Sequence, residues 1–246
     1  MKGEINRRMH KLKTIVAITA ILATAAALPS MAANNRVTNG SFSILSPLSF
    51  KSDYTKHSYP TSNPSKGTGH DHFELGPVAQ SDNSSWISSG DHTTGTGNFM
   101  LVDGSTTGST TNGSTSAYNG TARVWYESFN VVANRQYSIS AWAENFLNKN
   151  NANLIFTING NQVGTNTILG TAGIWQNMNA SWTAATTGKI TFAIVDKQTA
   201  SSGNDFGLDD ISFKPVPEAS TVVTFALLCV GGFLTLRKRR NATASA

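Results

Sequence analysis

Five tryptophans, two adjacent aspartates and a run of histidines are the residues of this sequence best equipped for recognition or chemistry. The tryptophans are Trp86, Trp125, Trp142, Trp175 and Trp182. Sugar rings stack their C–H faces on flat aromatic surfaces while Asn, Gln and Asp read the hydroxyls. Trp142 lies on the polar side of its alternating stretch and Trp125 alternates with Tyr126. Trp125 and Trp142 are therefore the candidate carbohydrate-binding residues, and the plainer alternative for any of the five is core packing. Asp209 falls with Ile211 and Phe213 by alternation, and Asp210 points the other way. One acid of the pair is expected to be half-buried, and a carboxylate near a core needs a partner such as a cation. His57, His70, His72 and His92 share one stretch. His70-Asp-His72 would place two rings on one side of a strand, a usable zinc geometry; the plainer reading is polar loop residues, with His92 packed in a turn. Glu74, Glu127, Glu144 and Asp103 form no recognisable catalytic pair, and there is no Gly-x-Ser-x-Gly, His-Glu-x-x-His or phosphate loop. The sequence supports no enzyme.

The elements that must position these residues read as strands. Gly, Ser, Thr and Asn dominate residues 33–214, and no stretch there has sustained helical periodicity. Arg135–Ala143 puts Tyr137, Ile139, Ala141 and Ala143 on one face. Asn153–Ile158 does the same with Leu154, Phe156 and Ile158, and Asn159-Gly160 after it is a hairpin signal. Ile190, Phe192 and Ile194 form another one-sided set, and further strands are expected at 98–103, 123–131, 175–182 and 208–213. Short strands at regular turn spacing predict an all-β fold, a single sandwich or jelly roll. Residues 43–91 are polar and interrupted by Pro47, Pro60, Pro64 and Pro77, which predicts long connections with short strands. Residues 106–119 read as an exposed loop.

The two ends differ in kind. Residues 1–32 carry a basic start, an apolar run and Ser30-Met31-Ala32, the pattern of a secretory signal helix cut between Ala32 and Ala33. Residues 215–240 hold Val216, Pro217, Glu218, Ala219 and Ser220, then an apolar run over 221–236, then Arg237, Lys238, Arg239 and Arg240 as a stop to transfer; 241–246 is a polar tail. That order resembles the PEP-CTERM sorting signal of bacterial surface proteins, with Ala219 where the family usually has proline. The resemblance implies an exosortase-type protease as partner and a C-terminal transmembrane helix as a transient membrane anchor. It also implies export through the inner membrane to the cell surface or extracellular matrix. The whole chain has a net charge of +5, but between the two end segments residues 33–220 keep ten basic and thirteen acidic residues. Nucleic acid is excluded as a partner for that region. Its lack of cysteine, the only one being Cys229, excludes a disulfide and a thiol nucleophile.

Between the ends, Asn39-Gly-Ser-Phe42, Asp91-His-Thr-Thr-Gly-Thr-Gly-Asn-Phe-Met100, Val102-Asp-Gly104 and Gly203-Asn-Asp-Phe-Gly-Leu-Asp-Asp-Ile-Ser-Phe213 occur in order. This set resembles the galactose-binding-like jelly rolls of carbohydrate-binding modules and bacterial surface proteins. The Asp-His-Thr stretch is also similar to one in the MAM domains of animal adhesion proteins. The resemblance implies pairing of the first and last strands, and a structural calcium held by Asn39 and by Asp209 or Asp210 with backbone carbonyls. It implies non-catalytic binding of extracellular polysaccharide; a structural or adhesive matrix role and an extracellular hydrolase are the alternatives.

Overall fold

The computed structural model describes residues 34–60, 69–104, 120–200 and 202–217. The signal segment 1–32, Glu218, Ala219 and Ser220, the apolar run 221–236, the basic residues 237–240 and the whole 106–119 loop lie outside the described residues. Residues 34–216 form one compact unit. Among the described residues no helix is long and apolar enough to cross a membrane.

Among the described residues ten strands make two sheets. They are β1 (Thr55–Lys56), β2 (His72–Gly76), β3 (Phe99–Asp103), β4 (Arg123–Val131) and β5 (Gln136–Asn145), then β6 (Asn153–Ile158), β7 (Asn161–Ile168), β8 (Gln176–Thr183), β9 (Gly188–Asp196) and β10 (Asp205–Pro215). One sheet runs β1-β2-β3-β10-β5-β8 and the other β4-β9-β6-β7. The only helical element described is a 3-10 turn at Ala79–Ser81. The all-β sandwich expected from the alternating pattern is the observed architecture.

The inner faces follow that pattern. Tyr137, Ile139, Ala141 and Ala143 of β5 are buried, as are Leu154, Phe156 and Ile158 of β6 and Ile190, Phe192 and Ile194 of β9. They meet Phe206, Leu208, Ile211 and Phe213 of β10 in one core. Fully burying each such side chain contributes about 1.5–3 kcal/mol. Asn159 and Gly160 both take positive φ, as the tight hairpin between β6 and β7 requires. Residues 35–40 run beside the second half of β10, where β3 has ended. Arg36 N donates to Phe213 O, and Ile211 N donates to Gly40 O. The first and last segments of the unit are therefore paired. Gly40 is required there, because a Cβ would run into the Ile211 carbonyl.

The outer face of the six-stranded sheet is partly covered. Residues 77–98 fold over the β2–β3 end and build a second small core from Ala79, Trp86, Phe99, Leu101 and Phe146. Under this cover lie Glu74, Asp82 and Glu144, all essentially inaccessible. Past the cover, the same face is open and polar: Ser138, Ser140 and Trp142 of β5 stand beside Asn177, Asn179 and Ser181 of β8.

Candidate functional site

A β-bulge creates the site. In β10 the register against β5 shifts between Asp209, opposite Trp142, and Ser212, opposite Ser140. The extra residue is accommodated at Asp210, which takes φ 49. This overturns the simple alternation expected for this stretch. Asp209 does not share a face with Ile211 and Phe213; it stands on the outer face beside Trp142, and its burial comes from the segment around His92 instead.

Asp209 is 1% exposed. Its Oδ2 accepts the His92 N–H at 3.0 Å and its Oδ1 accepts the Asp210 N–H at 2.8 Å. Burial, with the charges of Asp210 and Asp91 nearby, pushes its carboxyl up to about 7. Asp210 Oδ2 accepts from His92 Nδ1 at 2.9 Å and from the Thr93 hydroxyl at 2.6 Å. Asp91 behaves oppositely to Asp209. Burial raises it, but the N–H and hydroxyl of Thr94 and the N–H of Gly97 outweigh that and hold its carboxyl below the ordinary range. The Asp-His-Thr stretch is thus fastened to the bulge by two carboxylates, Asp209 and Asp210, while Asp91 closes the stretch's own turn.

Fastening fixes His92 on Trp142. The two rings stack with centroids 3.8 Å apart and planes 16° from parallel, and Trp175 meets His92 edge-on at 5.8 Å. Trp142 is half-buried and forms one wall of an open trough of about 510 Å³. Residues 35–41 form the opposite wall, Ile211 and Ser212 the floor, and exposed Lys214 one end. Ser41, Ser140, Ser212, Asn35, Asn39 and Asp210 line it, with the Asn35 amide held by Val37 N, Phe213 N and Ile211 O. An indole wall surrounded by hydroxyls, amides and one carboxylate matches the mixed apolar and polyhydroxyl surface of a sugar.

Trp125 does not belong to this site. It is wholly buried in β4, stacked against Phe50 at 6.2 Å and edge-on to Phe192 at 5.5 Å. Trp125, Glu127 and Phe129 alternate onto the inner face of their sheet, so the indole presents no surface to a ligand. Trp86 lies in the small outer core, and Trp182 packs on Tyr137 and Phe213.

A second hollow of about 330 Å³ adjoins the trough and is lined by Ser41, Ser43, Asp91, Asn98, Asp209 and Asp210 among others. This is the oxygen-rich patch where calcium was expected. Asn39 does not turn toward it: its Oδ1 accepts from Ser43 Oγ and Ile44 N, and its Nδ2 donates to Ile44 O. Asp209 and Asp210 supply the hard oxygen donors that suit such an ion, although each already accepts protein donors. Among the described residues no group of three or more His, Cys, Asp or Glu has the arrangement to hold a metal by itself.

The remaining acids are buried. Glu74 faces Asp82, and desolvation with the Asp82 charge pushes it up to about 9. Glu144 takes the Ser89 hydroxyl as donor, and burial pushes it up to about 7. Asp103 accepts His70 Nδ1 at 3.0 Å. His72 turns away from His70 to Gly69 O and to the ring of His57, so the two-ring zinc geometry is not formed and the plainer reading of these histidines stands.

The pairing of residues 35–40 with β10 follows the first-and-last-strand pairing that the resemblance implies; the fastening of His92 to Asp209 and Asp210 was not legible in the sequence, because it joins residues more than a hundred apart. No family model matches the sequence, and no curated protein matches it. Solved structures share the two-sheet plan at low similarity. A Stig cyclase, Fisc from Fischerella sp. TAU, is 10% identical over 74% of this chain and 97% of its own, with a TM-score of 0.44. TmCBM61, solved with β-1,4-galactotriose, is 14% identical over 75% and 99%, with a TM-score of 0.41. The CBM22-1 xylan-binding domain of Paenibacillus barcinonensis Xyn10C is 15% identical over 52% and 78%, with a TM-score of 0.37.

Proposed function

We propose that this protein binds extracellular glycan without acting chemically on it, in the trough beside Trp142. The observation that carries this reading is the half-buried indole, backed by His92 and flanked by Asn35, Asn39, Ser140, Ser212 and Asp210. Within the trough Asp210 is the single acid, and two carboxylates set a few ångströms apart are what glycoside hydrolysis needs. The end segments support export, with sorting by an exosortase-type protease after transient membrane anchoring, so that the trough works at the cell surface or in the matrix. We read the adjoining hollow as the place for a structural calcium ion, with Asp209 and Asp210 as its carboxylate donors, backbone carbonyls and water completing the shell, and Asn39 contributing only through the turn it closes.

Retention on insoluble and gel-embedded polysaccharides tests the reading. Wild-type protein is expected to be retained saturably by at least one polymer, and Trp142→Ala to lose retention while keeping its melting temperature. No retention on a broad panel of neutral and acidic polymers would leave the matrix-scaffold alternative in its place.

A further inference from the structure

A second site, remote from the trough in sequence, lies at the β1–β2 edge. In the parallel ladder Thr55 pairs with His72 and Lys56 with Phe73, and His57 N extends it by donating to Phe73 O at 2.9 Å. Side chains two apart share a face, so His57 lands on the same side as Thr55 and its partner His72. The two imidazoles meet with centroids 4.1 Å apart and planes inclined by 56°. Both are half-buried and open to solvent on one side.

The hydrogen bonding of His72 fixes its chemistry. Its Nδ1 lies 2.8 Å from Gly69 O. A carbonyl only accepts, so Nδ1 carries the proton, and Nε2 is the nitrogen left to bind a metal. A backbone carbonyl holding one ring nitrogen is the usual support behind a metal-ligating histidine. His70, by contrast, is bound by Asp103.

From the ring contact, the ladder register and the fixed tautomer we infer that His57 and His72 form a two-imidazole site for a divalent transition cation, with water completing its shell. Imidazole nitrogen suits Cu²⁺, Ni²⁺ and Zn²⁺, with Cu²⁺ bound most tightly. The cation would tie β1 to β2 across residues 58–71. This site is independent of the glycan reading and stands or falls without it.

The test is calorimetric titration of the untagged full chain, stripped with chelator, with Cu²⁺, Ni²⁺ and Zn²⁺ salts. One saturable equivalent is expected, tightest for Cu²⁺. His57→Phe and His72→Phe keep a ring in the contact but remove the nitrogens, and each is expected to weaken binding on the order of tenfold or more; His70→Phe is expected to leave it unchanged. In the wild-type chain, bound metal is expected to protect His57 and His72 from diethyl pyrocarbonate and to leave His70 reactive, a readout that needs no variant to fold. Absence of saturable uptake, unchanged affinity in both Phe variants, loss in His70→Phe, or no selective protection would each overturn the assignment.

Discussion

The imidazole of His92 lies flat on the indole of Trp142 and is held there by Asp210, whose Oδ2 receives its Nδ1 at 2.9 Å. The stack makes the indole a rigid wall, so little side-chain entropy remains to be lost on binding. His92→Ala is expected to weaken glycan binding by roughly three- to tenfold, since stacked rings contribute about 0.5–1.5 kcal/mol beyond their burial. His92→Phe is expected to recover most of the loss. Fluorescence titration of the two variants checks this, and equal affinity in wild type and His92→Ala would remove His92 from the site.

Trp125 and Trp142 should separate stability from binding. Trp125→Ala empties the centre of the core between Phe50 and Phe192 and is expected to cost about 3–5 kcal/mol of stability. Trp142→Ala should cost far less and act on binding. Urea unfolding of both variants decides it; a larger loss from Trp142→Ala would contradict the placement.

Stability is expected to fall as pH rises from about 5 to about 9. Glu74 is pushed up to about 9, Asp205 to about 8, and Glu127, Glu144, Asp196 and Asp209 to about 7, with burial the leading cause each time. Each holds its proton more tightly folded than unfolded. Their contribution is therefore complete below the unfolded carboxyl range, near pH 4, and is lost as pH climbs through the folded values. Asp53 and Asp91 run the other way. Burial raises both, but Arg123 holds Asp53 low, and Thr94 with Gly97 holds Asp91 low, so their contribution is lost in acid. Melting curves should show a maximum near pH 5. Glu74→Gln should flatten the alkaline side, and an unchanged slope in that variant would contradict the protonated Glu74–Asp82 pair.

Calcium removal gives a direct result at the hollow. With an ion held by Asp209 and Asp210, chelator should lower the melting temperature and Asp209→Asn should abolish the difference. An unchanged melting temperature would mean that His92, Thr93 and the Asp210 N–H satisfy these carboxylates alone.

Much of the sandwich was legible because β4, β5, β6, β8, β9 and β10 each alternate apolar and polar residues over a buried face. β7 was not, since its residues are mostly exposed at a sheet edge and carry little apolar signal. The small outer core was hidden for a different reason. Glu74 and Glu144 sit at positions that alternation assigns to solvent, and only the return of residues 77–98 over that face buries them. The site was half-legible: Trp142 stood out by its polar neighbours, whereas the bulge at Asp210 shifts the phase of β10 without any local warning in Leu208–Phe213.

The most direct test of the central claim is isothermal titration of the protein with an oligosaccharide cut from a polymer that retains it, comparing wild type with Trp142→Ala and Ser140→Trp. A single saturable site is predicted, lost by at least about tenfold in Trp142→Ala and blocked in Ser140→Trp, which fills the trough. Undiminished binding in both variants would place the glycan elsewhere and contradict the account.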